Sequence, residues 1–93
     1  MTHEHGKMPP LLEHAWHEFE HEQTPERAAW FLIMMVFHKE NIYWDDKEKR
    51  IKCAAEVYDS SWKDKMEKVT EVLGIKTWEE FVKVKNKYNL TQY

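Results

Sequence analysis

Residues 42–58 read Ile42-Tyr43-Trp44-Asp45-Asp46-Lys47-Glu48-Lys49-Arg50-Ile51-Lys52-Cys53-Ala54-Ala55-Glu56-Val57-Tyr58, and whether they coil or pair decides the fold class. Ile51, Ala54, Ala55 and Tyr58 stand at i, i+3, i+4 and i+7, the spacing of one helix face, and Asp45 or Asp46 is placed to cap that helix. The same letters also allow a hairpin, IYWDD and IKC about the turn KEKR. Such a turn needs residues at positive φ, and neither Gly nor Asn is present in it, so the helix is preferred.

Helical signals surround this segment. Upstream, Thr24-Pro25-Glu26-Arg27 combines an N-cap, a proline in the first turn and an early acid, and leads into Ala28 to Phe37, an apolar run with no polar face. A helix of that kind must be covered on all sides, by its own domain or by another chain. Before it, Pro9-Pro10 opens a helix that places Leu12, Ala15, Trp16 and Phe19 on one face and should end near Gln23. Downstream, Ser60 or Ser61 caps a helix with Trp62, Met66, Val69 and Leu73 in one stripe, stopped by Gly74. Thr77-Trp78-Glu79-Glu80 is a capping box for a last helix, with Trp78, Phe81, Val82 and Tyr88 turned inward. The expectation is an all-α domain, a compact array of four to five helices over residues 9–93, preceded by a flexible, His-bearing tail at residues 1–8.

Composition bounds the function. Ninety-three residues supply one core and not two. Fourteen Lys and Arg against seventeen Asp and Glu leave no excess positive charge to hold a polyanion, so a general nucleic-acid binder is not expected. The ten-residue apolar run is half the length a membrane span requires, and the N-terminus does not read as a secretory signal. The lone Cys53 suits a reducing compartment, and cytoplasm is the expected location. Five Trp, four Tyr and four Phe exceed what so small a core needs, which points to a partner.

Candidate chemistry is sparse. His14, His17, Glu18 and His21 share one face of the first helix, and a His pair at i, i+4 is a chelate geometry. That face lies opposite the apolar one, toward water, so the bland reading of a solvated surface is preferred and any metal binding should be weak. Glu18-Phe19-Glu20-His21 matches half of a di-iron bundle motif, but no second copy exists. Cys53 reads as a buried structural thiol, and no phosphate loop or nucleophile elbow occurs. The chain is not expected to be catalytic alone.

A string of landmarks then stands out. Pro25-Glu26-Arg27-Ala28 leads into the apolar helix; Trp44 is followed after five residues by Arg50; Tyr58-Asp59-Ser60-Ser61-Trp62 precedes VTEVLGI at 69–75 and Thr77-Trp78-Glu79-Glu80-Phe81. In order and spacing, residues 25–85 resemble the helical N-terminal part of nitrile hydratase β subunits, the matching thiocyanate hydrolase subunit, and their small accessory (activator) proteins. The loop before the Tyr/Trp helix is shorter here, and the family's paired Tyr is the single Tyr58.

The resemblance implies a small subunit or accessory protein that binds a catalytic α-type chain in a hetero-oligomer. In that family the α chain holds cobalt or iron in a Cys-x-x-Cys-Ser-Cys cluster, and arginines of the β subunit hold oxygens of its oxidised cysteines. Arg50 matches one such arginine, and Tyr58 and Trp62 match aromatic positions that line the substrate pocket. With Trp30 on the apolar helix, these are the expected partner-facing residues, and no cofactor is expected on this chain itself. Two other readings stand beside this one: a His-bearing protein that delivers cobalt, nickel or zinc, and a helical homo-oligomeric module without catalysis.

Overall fold

The computed structural model describes residues 9–90. The expected flexible tail at residues 1–8 lies outside the described residues. Four α-helices form where their start signals stand: α1 Pro10–His21, α2 Pro25–Phe37, α3 Ser61–Leu73 and α4 Trp78–Lys87. Pro10 begins α1, where its missing N–H has no intrahelical acceptor to lose. The Thr24 hydroxyl accepts from the Arg27 N–H at 3.3 Å, and the Thr77 hydroxyl accepts from the Glu80 N–H at 3.2 Å.

The all-α expectation is corrected between α2 and α3. Residues 42–53 form an antiparallel hairpin, β1 Ile42–Asp45 with β2 Arg50–Cys53, followed by a 3-10 turn at Ala54–Val57. The register pairs Ile42 with Cys53, Tyr43 with Lys52, Trp44 with Ile51 and Asp45 with Arg50. Two features of the turn replace the expected Gly or Asn. The Asp45 carboxylate accepts from the N–H groups of Lys47 and Glu48 at 2.8 and 2.9 Å and so fixes the loop in its turn conformation. Lys49 takes the left-handed position at φ 57°, a strain of about 1–2 kcal/mol that the rest of the hairpin outweighs.

Burial supplies that weight. Ile42, Ile51 and Cys53 are buried in the main core, whereas a helix over the same residues would carry them around different sides. The outer edge of β2 is closed by α3: the Ile51 N–H donates to Thr70 Oγ1 at 2.9 Å, and that hydroxyl donates to the Met66 carbonyl at 2.7 Å. Thr70 lies beside the apolar stripe of α3 because it supplies the acceptor a buried strand edge requires.

Three helices end in the same way. The chain reverses at a left-handed residue, Lys39, Gly74 or Asn89, and the next N–H reaches back five residues: Glu40 to Met35 at 2.8 Å, Ile75 to Thr70 at 3.3 Å, Leu90 to Lys85 at 2.8 Å. Ile75 and Leu90 are then buried against the core. The core runs from Leu12, Ala15 and Phe19 of α1 through Phe31, Leu32 and Met35 of α2 to Trp62, Met66 and Val69 of α3 and Phe81 of α4. Trp78, expected inward, is 57% exposed: as the first residue of α4 it precedes the turn that Phe81 anchors. Among the described residues, no helix is long and apolar enough to cross a membrane.

Candidate interaction surface

The hairpin positions Arg50. As the first residue of β2 its backbone pairs with Asp45, and its side chain folds back under the 3-10 turn, where the residue is only 4% exposed. The guanidinium forks onto the Glu56 carboxylate with Nη1 at 2.9 Å and Nη2 at 2.8 Å. Its Nε donates to Glu48 at 3.0 Å and Nη1 also to the Ile51 carbonyl at 3.2 Å. Glu56 accepts in addition from the Cys53 N–H at 3.1 Å, while the Glu56 N–H is capped by the Cys53 sulfur. Burial pushes the Glu56 carboxyl up, but the Arg50 fork and the Cys53 N–H outweigh it and hold the carboxyl below the usual range. The same pairing with Glu56 raises Arg50 above its ordinary value.

Glu40 completes this cluster. Its carboxylate accepts from the Ala55 N–H at 2.9 Å and so ties the end of α2 to the 3-10 turn. Cys53 sits between these groups, and burial, with the negative charges of Glu56 and Glu40, pushes its thiol up to about 12. A buried thiol held that far from ionisation is a poor nucleophile at neutral pH.

The four expected partner-facing residues are not on one surface. Tyr58, just after the 3-10 turn, is 62% exposed beside the more exposed Val57. Trp30 is half exposed on the outward face of α2. Trp62 lies in the core, its ring stacked on Phe31 at 6.2 Å, because its position on α3 faces α2. Arg50 is enclosed by carboxylates of its own chain. Sequence reasoning does not single out Glu48, Glu56, Glu40 or Thr70, the residues that bind Arg50 and the hairpin. The 3-10 turn that follows β2 folds Glu56 back onto Arg50 six residues earlier, a spacing that no helix or strand period marks in the sequence.

The His face of α1 is solvated. His14, His17, Glu18 and His21 are all exposed. His17 Nδ1 lies 3.5 Å from Glu20, and Glu18 accepts from Arg27 at 3.4 Å. Among the described residues no three His, Cys, Asp or Glu side chains converge as a ligand set for a metal ion.

What the fold leaves open is apolar. Along α2, Trp30, Ile33 and Phe37 lie in one line at i, i+3 and i+7; Phe37 is 66% exposed and Ile33 partly so. Beside the C-terminal half of this line is a cleft of about 210 Å³, lined by Ile33, Val36 and Phe37 of α2 and by Tyr88, Asn89 and Leu90 after α4. The helix expected to need cover on all sides is covered by α1 and α3 on the faces carrying Phe31, Leu32 and Met35, and is left bare on this one.

The fold and surface define a class: a helical protein with a hairpin insert and an exposed apolar stripe along α2. No protein-family model, curated protein or solved structure matches the chain.

Proposed function

We propose that this chain is a non-catalytic interaction protein, a small subunit or accessory factor of a nitrile hydratase or thiocyanate hydrolase type enzyme. It docks on the catalytic α-type chain and supports the cobalt or iron site which that chain carries. The observation that carries the binding role is the stripe Trp30, Ile33 and Phe37, open at Phe37 and half open at Trp30: two large aromatics and a branched aliphatic in line on one helix. Aromatic anchors of this kind dominate interface energetics, and a folded helix presents them with little further loss of conformational freedom. The identity of the partner rests on the resemblance of residues 25–85.

In this reading Arg50 acts within its own chain. Its fork to Glu56 fixes the 3-10 turn and thereby presents Val57 and Tyr58 as a second contact. Trp62 contributes from the core, by bracing Phe31 behind the stripe. The test is co-expression with an α-type subunit followed by size-exclusion chromatography and metal analysis. Co-elution, lost in a Trp30→Ala/Phe37→Ala variant of unchanged helicity, is the expected result. Separate elution with no change in the cobalt or iron content of the α chain overturns the proposal.

A further inference from the structure

The α2 stripe has a shape and a charge pattern that fit a copy of itself. Glu26, Trp30, Ile33 and Phe37 fall within about 60° of one another at 100° per residue, so one line on α2 carries an acid, an indole, an aliphatic and a phenyl ring in that order. Lys39 follows immediately after the helix, exposed, at φ 63°. Neither Glu26 nor Lys39 has an ion-pair partner among the described residues, in contrast to neighbouring Arg27, which bridges Glu18 and Glu22. The apolar line thus has an exposed acid at its N-terminal end and an exposed lysine in the chain reversal just past its C-terminal end.

Such a pattern is self-complementary only when two copies run antiparallel. A two-fold axis midway between Trp30 and Phe37 sets each Trp30 at the level of the other chain's Phe37, about 10 Å along the helix. That is also the level of the cleft between α2 and the segment after α4. The cleft, about 210 Å³, has walls of Ile33, Val36, Phe37, Tyr88 and Leu90, and its size suits one indole ring entering from the open side. The same rotation brings Glu26 of each copy to the end of α2 where the other copy's Lys39 stands.

From these features we infer that the chain forms a symmetric homodimer through antiparallel α2 helices, each Trp30 inserted into the cleft at Phe37 and Tyr88 of the second copy. The inference rests on the same stripe as the proposed function and adds a second occupant, so the α-type chain competes with dimerisation. The bare aromatics are few, and half of each Trp30 is already covered within its own chain. The interface is therefore on the small side of those that hold stable dimers, and the association is reversible.

Sedimentation equilibrium of the full chain from micromolar to millimolar concentration tests this. A monomer–dimer equilibrium is expected, with the dissociation constant raised at least roughly tenfold by Trp30→Ala, which removes one anchor side chain from each copy. Glu26→Lys or Lys39→Glu alone should weaken the dimer several-fold at low salt, and the two together should restore it, which a folding defect in either single variant would not do. A chain that stays monomeric at millimolar concentration, or a dimer indifferent to Trp30→Ala, overturns the inference. Co-elution of a monomeric chain with an α-type subunit leaves the proposed function standing and removes only the homodimer. A Trp30-dependent dimer that ignores the α-type subunit does the reverse.

Discussion

Replacing Glu56 by Gln changes one charge and almost no volume, and its consequence can be worked from the geometry. Arg50 is 4% exposed and its guanidinium holds Glu56 through two bonds of 2.8 and 2.9 Å. The amide that replaces the carboxylate retains one acceptor oxygen but turns an NH2 group toward the other Arg50 nitrogen, and the negative charge is lost. Removing one partner of a buried pair costs about 3–5 kcal/mol, because the remaining charge is left in a poorly hydrated place. Glu48 still accepts from Arg50 Nε at 3.0 Å from a more exposed position, which sets the expectation at the lower end, about 3 kcal/mol.

For a domain of this size such a loss moves the melting temperature down by more than about 10 °C. Urea unfolding followed by tryptophan fluorescence and far-UV circular dichroism measures it. A double-mutant cycle with Arg50→Met separates the pair from its surroundings, with an expected coupling of about 2 kcal/mol or more. The pH dependence follows in sign. The folded Glu56 carboxyl is depressed, so its contribution is fully present above the unfolded carboxyl range, roughly pH 4, and is lost as pH falls through the folded value. Glu56→Gln should therefore flatten part of the acid limb of the stability curve. A loss under about 1 kcal/mol, no coupling to Arg50, or an unchanged acid limb would refute the claim that this pair holds the hairpin to the 3-10 turn.

Other expectations follow from single contacts. Thr70→Val should destabilise by about 1–3 kcal/mol in urea titrations, since it strands the buried Ile51 N–H without an acceptor. Lys49→Gly should stabilise the fold by up to about 1 kcal/mol by relieving the left-handed residue in the hairpin turn; a destabilised variant would contradict the turn geometry. Cys53 should resist a thiol reagent at neutral pH until the chain unfolds, with labelling rates that track denaturant, because the buried thiol is pushed up to about 12.

Where the fold is legible in the sequence, the signal is local and the structure uses it locally. Thr24, Pro25 and Thr77 cap or start helices because their own side chains do the capping, and Gly74 ends α3 because it takes φ 70° without strain. The hairpin reads as a helix because Ile51, Ala54, Ala55 and Tyr58 satisfy a helical spacing while Ile42/Trp44 and Ile51/Cys53 satisfy a strand spacing, and tertiary burial chooses between them. Lys39, Lys49 and Asn89 take left-handed conformations, and lysine carries no preference for them, so two of these turns have no sequence signal. The Arg50 environment is likewise out of reach, since Glu56 meets it only where the 3-10 turn folds back after β2. The α2 stripe is half legible: the apolar girth predicts a need for cover, and only the packing of α1 and α3 shows which face goes without it.

The central claim, that the Trp30–Ile33–Phe37 face exists to be covered by another polypeptide, is tested most directly by light scattering on the co-expressed chain and α-type subunit after size-exclusion chromatography. A single species with the summed mass of the two chains is expected, separating into its components when Trp30 and Phe37 are both changed to Ala. Two independent peaks for the wild-type pair, or a complex of unchanged mass and stability with the double variant, would contradict it.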